Sequence, residues 1–162
     1  MFEALGGKVI YDDGSIWGAA MANDLRYKRL MAAKMAGLSG EYASAYSLMD
    51  TLLGQFPYDA EVHRLYGNIL ELDAFSEDVI RPMDSRLQKA RRHYRVLMSA
   101  QDGGYFALFD LAEHFANIGR LRIAGYFFRR FVERCEGVSA AECGEELASS
   151  LDWLRDNAGV GG

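Results

Sequence analysis

Apolar residues recur three and four positions apart over most of the chain, and small residues interrupt them at regular intervals. In two such amphipathic stretches Ala32-Ala33 and Tyr66-Gly67 occupy equivalent places 34 residues apart, and Ala90 and Ala124 are also separated by 34. The intervals from Gly67 to Ala112 and from Ala45 to Ala90 are both 45, longer by 11, so a single insertion accounts for both. Small residues at a fixed period mark helix crossings, because two axes approach to about 8 Å only where no large side chain intervenes. Leucine at Gly67 or Ala124 is therefore expected to be severely disruptive. The insertion falls within 73–89, where Pro82 is unsuited to a helix interior. It reads either as two longer helices folding back near Arg81-Pro82-Met83 or as a loop.

The flanks carry their own signals. After Asp12-Asp13-Gly14, Ser15 is placed to cap a helix over 15–27, and Ser139 is placed to cap another that runs to about Asp156. The second helix exposes Glu142, Glu145, Glu146 and Asp152, as a terminal capping helix does. The glycine-rich stretch 159–162 reads as a frayed tail.

A helix-turn-helix unit of 34 residues with small residues at its crossing points resembles the tetratricopeptide repeat (TPR) family. In the first unit Gly40-Glu41-Tyr42 marks the turn, Ala45 and Met49 follow, and Pro57 closes the repeat; in the second, 60–68 reads as a helix A of that family. In the third, Leu108, Leu111, Ala112 and Phe115 supply helix A, Gly119 the turn, and Ala124, Phe128 and Phe131 helix B. Arg29 and Ala36 depart from the usual aromatics, and the second unit ends at Gln101-Asp102-Gly103-Gly104 without a proline. The resemblance implies an all-α fold of about eight helices, a right-handed superhelix of stacked antiparallel helix pairs (a TPR-like α-solenoid). The single domain 1–162 divides into an N-terminal segment and helix at 1–25, three repeats at 26–137 with an insertion near 74–84, a capping helix at 138–158, and the tail.

Composition narrows the function classes. Half of the 162 residues are hydrophobic and a quarter are charged, which describes a globular chain with no run long enough to span a membrane. The start of the chain lacks a cationic leader, and two cysteines make no disulfide framework, so a cytoplasmic protein with Cys135 and Cys143 as thiols is expected, the alternative being a bridge between the two across the Gly-Val-Ser turn. His63, His93 and His114 lie in three separate helices without metal-ligand spacing, and Gly6-Gly7-Lys8 lacks the remainder of a phosphate loop. No cofactor, metal or catalytic group is expected; the alternative of a reactive thiol at Cys135 rests on the nearby Arg129, Arg130 and Arg134.

Charge falls in blocks. Residues 1–78 hold twelve acids and six bases, 79–134 five and eleven, and 135–162 six and one. Arg86 and Arg120 stand 34 apart, as do Arg95 and Arg129, so stacked helices are expected to align Arg86, Lys89, Arg92, Arg95, Arg120, Arg129 and Arg130 as a basic stripe on the convex face. These arginines either cover helix B and pair with nearby acids or dock an acidic segment. A pI near 5.2 argues against nucleic acid.

By the resemblance, the concave groove is lined by Tyr27, Leu30 and Lys34, then Glu61, Arg64, Leu65 and Asn68, then Phe106, Phe109, Asp110 and Glu113. Family members that clamp the C-terminal carboxylates of heat-shock chaperones use Lys, Arg and Asn at fixed groove sites. Leu30, Leu65, Phe106 and Asp110 stand at four of these, which argues against such a clamp. The expected function is an adaptor or scaffold whose groove binds a peptide segment of a protein partner. The alternatives are a small bacterial secretion-type chaperone and a self-assembling module that forms homo-oligomers through its charge blocks.

Overall fold

The helical periodicity is realised as seven α-helices among the residues that the computed structural model describes, 3–5, 8–10, 16–99, 104–138 and 140–161. The proposed turn and cap at 12–15, the cap at Ser139, Gly6-Gly7 and 101–103 lie outside the described residues. A short antiparallel pair, β1 (Glu3–Leu5) and β2 (Lys8–Ile10), precedes α1 (Ile16–Leu38), α2 (Tyr42–Gln55), α3 (Ala60–Phe75), α4 (Ser85–Met98), α5 (Gly104–Asn117), α6 (Leu121–Cys135) and α7 (Ala140–Asp156). The strand pair was not expected. Each helix packs on the next in sequence, and α1 also touches α3.

The small residues do what their spacing suggested. Ala33, Gly67 and Ala112 are buried on α1, α3 and α5, and Ala45, Ala90 and Ala124 are fully buried on α2, α4 and α6. The first and third turns are built alike. Gly40 (φ 78°) and Gly119 (φ 76°) adopt the left-handed conformation that glycine tolerates. In each turn the glycine amide donates to the carbonyl three residues back (Gly37, Ala116) and the following amide to that five back (Ala36, Phe115), closing the helix end as a Schellman motif.

Helix α3 starts at Asp59, whose carboxylate accepts from the Glu61 and Val62 amides at 2.9 and 3.1 Å. Arg26 of α1 holds the same carboxylate with two bonds of 2.7 and 2.9 Å, so the cap also joins α1 to α3.

One boundary differs from expectation, and one open alternative is decided. The expected N-terminal helix and the expected first repeat helix are one, because Asn23-Asp24-Leu25-Arg26 contains neither glycine nor proline to stop α1. This fusion is why seven helices stand among the described residues where about eight were expected. The insertion resolves as a loop at 76–84 containing Pro82, closed by Asp84, which caps α4 by accepting from the Arg86 amide at 2.8 Å. The start of the proposed tail is also ordered, as a 3-10 turn over Ala158–Gly161 against α6.

Candidate functional site

The polar residues of α3 recur at Arg64, Asn68 and Glu71, one per turn, and those of α5 at Asp110, Glu113 with His114, and Asn117. Packing brings the two rows together. Arg64 grips Asp110 with two bonds of 2.8 and 3.0 Å, and its guanidinium lies 5.0 Å from the centre of the Phe106 ring. A turn further on, the fully buried His114 donates from Nδ1 to Glu71 at 2.5 Å. The Tyr94 hydroxyl of α4 donates to the same carboxylate at 2.8 Å and lies equally close to Asn68. His114 Nε2 is buried and has no partner among the described residues.

Acidic groups outnumber cations on this face. Burial pushes the Asp110 carboxyl up to about 6, with the Glu71 and Glu146 charges adding to the push against the pull of Arg64. Glu113 stands exposed at the rim, yet its carboxyl is raised as well, first by the desolvating walls around it and then by Asp110 and Glu71. Burial raises the Tyr94 hydroxyl further still.

Helix α7 supplies the opposite wall. It is interrupted at Gly144 (φ 51°, ψ −138°), and Cys143 immediately before the break is disulfide-bonded to Cys135, the last residue of α6. The expectation of two thiols is thus corrected. The turn between α6 and α7 returns Cys143 to within 6.0 Å of Cys135, Cα to Cα, and both are buried. While the bridge stands, Cys135 carries no thiolate.

The tether holds Glu146, Ser149 and Trp153 across from α5. Trp153 packs on Phe128 of α6, ring centres 4.7 Å apart, and Gly125 leaves room for its edge. Between the helices lies a cleft of about 340 Å³ lined by Phe109, Glu113, Ala116, Leu121, Phe128 and Trp153, with Asn117 and Ser149 at its edges.

The expected groove residues divide accordingly. Arg64, Asn68, Phe106, Asp110 and Glu113 are gathered on the α3/α5 face. Leu30 and Phe109 are core residues, 4% and 7% exposed, so neither is a free anchor, although one edge of Phe109 reaches the cleft. Leu65 is half-buried against the core. Glu61 is turned to Arg26 at 2.8 Å, and Tyr27 and Lys34 are exposed on α1. Glu71, Tyr94, His114, Glu146 and Trp153 were missed. For Glu71 and His114 the signal was the one-per-turn spacing of polar residues along α3 and α5; Tyr94, Glu146 and Trp153 belong to neither row.

The basic residues do not act as one free stripe. Arg86 is consumed by Asp73, Glu77 and Asp84 at 3.0, 2.5 and 2.7 Å. Lys89 donates to the Tyr66 hydroxyl at 2.7 Å and lies over its ring, while that hydroxyl donates to Asp50 at 2.5 Å. Arg130 reaches Glu133. Arg92, Arg95, Arg120 and Arg129 are exposed and make no ion pair among the described residues.

Behind Tyr66, His93 stacks on its ring and meets His63 at 2.9 Å, Nδ1 to Nδ1; His63 Nε2 donates to the Pro57 carbonyl at 2.8 Å. Burial holds His93 down at about 4, helped by His63 and Lys89. Among the described residues no cluster of three His, Cys, Asp or Glu suits a metal ion, and no helix is long and apolar enough to cross a membrane. Compared with family profiles, curated proteins and solved structures, the chain matches none.

Proposed function

We propose that the chain is a binding protein, an adaptor or scaffold of the TPR-like superhelical type, whose concave groove over α3, α5 and α7 holds a peptide segment of a protein partner. The observation that carries this reading is the α5/α7 cleft, which has an aromatic floor and a polar, solvent-reaching rim. Such a cleft offers an apolar side chain a pocket and an extended backbone the Ser149 and Asn117 side chains. A buried carboxylate such as Asp110, held by the half-buried Arg64, costs desolvation free energy that an apolar pair would not, so the presence of this pair on the face is better explained by recognition than by stability. A cytoplasmic setting would require the Cys135–Cys143 bridge to persist against reducing thiols.

Panning displayed random peptides against the folded protein tests the reading. Binders should move the resonances of Glu113, Ser149 and Trp153, and Ser149→Trp, which fills the cleft from an exposed position, should abolish them. Binders that ignore Ser149→Trp would sink the groove reading. A second reading, self-assembly, draws on a different observation: Tyr27, Met31, Met35 and Leu38 are exposed along one face of α1. Light scattering on wild type and on Met31→Glu with Met35→Glu separates the two, since a wild-type monomer removes self-assembly.

A further inference from the structure

We infer that the occupant of the α5/α7 cleft is a basic segment, one in which an aromatic or large aliphatic side chain is followed closely by lysine or arginine. The inference rests on the groove reading above and adds the chemistry of the partner. The apolar half of the cleft asks for the anchor: Phe109, Phe128 and Trp153 form its floor, and its volume of about 340 Å³ admits one large side chain with the backbone that carries it.

The charge at the rim selects what accompanies it. Arg64 is already spent on Asp110, and Glu71 on His114 and Tyr94. Glu113 of α5 lines the cleft and, like Glu146 of α7, makes no ion pair among the described residues; Asp110, Glu71 and Glu146 all oppose its charge. A cation placed beside Glu113 relieves a carboxylate that its acidic neighbours crowd, whereas an incoming carboxylate adds to that crowding. The cleft therefore discriminates by sign, against acidic tails and for basic ones.

The test uses the full folded chain and short labelled peptides: tryptophan flanked by lysines, tryptophan flanked by glutamates, and glycine flanked by lysines. Anisotropy reads affinity, and the indole N–H of Trp153, one of two tryptophans in the chain, reports the cleft. The Trp-Lys peptide should bind at least about tenfold tighter than either other peptide, lose roughly tenfold in Glu113→Gln with Glu146→Gln, and weaken with added salt. Those two glutamate side chains make no hydrogen bond or ion pair among the described residues, so the variant should remain folded, which circular dichroism checks. If the Trp-Glu peptide binds as well at the same indole signal, the charge assignment is overturned while the groove reading stands. If none of the peptides moves that signal, groove and inference fall together. A signal that moves with protein concentration alone makes the occupant a second copy of the chain and also overturns the inference.

Discussion

Gly67 and Gly54 sit in neighbouring helices, and the same substitution should act on them in opposite directions. A methyl group built on Gly67 would overlap the Tyr94 ring, 2.7 Å from its Cζ, and Tyr94 is itself fully buried and cannot swing aside. Gly67→Ala should destabilise the fold by about 2 kcal/mol or more through overpacking. Gly54 meets nothing within 4 Å in the exposed last turn of α2, so Gly54→Ala should stabilise by roughly 0.5–1 kcal/mol. Urea denaturation of both variants checks the pair; equal effects would mean that Gly67 is not a helix contact.

The buried titrating groups oppose one another in pH. His93 is held at about 4 against 6.5 when unfolded, so as the pH falls between these values the unfolded chain takes up a proton that the native chain refuses, and stability drops. Asp110 is raised to about 6 from 3.8; there the native chain takes up the proton first, and stability rises over much the same interval. Each contributes at most about 3 kcal/mol. Between about pH 7 and about pH 4.5, His93→Gln should therefore gain stability relative to wild type and Asp110→Asn should lose it. Denaturant midpoints at both pH values decide, and parallel curves for all three proteins would remove both titrations.

Among elements, α7 depends most on a single covalent link. The bridge closes a loop of sequence separation 8, for which the chain-entropy argument gives roughly 2.5 kcal/mol. Cys135→Ser with Cys143→Ser should lower the denaturation midpoint accordingly, and should broaden the Trp153 indole signal as α7 loosens over α5. A sharp, unshifted indole in the double variant would show that packing on Phe128 alone positions the helix. This bridge also marks what sequence reasoning could and could not reach. Crossing points were legible because only Ala or Gly fits where helices touch, and Gly40 and Gly119 because a left-handed turn has few alternatives. The fused α1 was legible in principle, since nothing between 23 and 26 stops a helix. The pairs Glu71–His114 and Arg64–Asp110 were not: partners 43 and 46 residues apart leave no local trace, and only the packing of α3 on its neighbours decides which polar residue faces which. Leu30 was misassigned to the groove for the same reason, and Phe109 proved to be its buried floor instead of a free anchor, because a helix face does not reveal where the burial boundary runs along it.

At the scale of the molecule, most strong helix contacts among the described residues join neighbours in sequence, with α1 on α3, the 3-10 turn on α6 and the α3–α5 ion pairs as steps beyond, so stability should be distributed much as in a linear array. In such an array the interior elements are braced on both sides and the ends on one. The largest fully buried side chains lie on α2 to α6, Met49 and Leu52 on α2, Tyr66 and Ile69 on α3, Tyr94 on α4, Leu111 on α5 and Phe131 on α6, while those of α7 among the described residues are Cys143 and Ser150, both small. Native-state hydrogen exchange should therefore rank the amides of α3, α4 and α5 slowest, with α2 and α6 intermediate and the start of α1 fastest. Helix α7 should move from the intermediate class to the fast class when the disulfide is reduced, leaving α3 and α4 unchanged. Because the proposed cleft is walled by α5 on one side and α7 on the other, a ligand that fills it would brace the weaker end, and bound peptide should slow exchange in α7 more than anywhere else. Uniform protection across all helices, unaffected by reduction, would instead describe one cooperative unit. In that case the cleft would be a fixed feature of the core and not a mouth whose far wall is held by one bridge and one tryptophan.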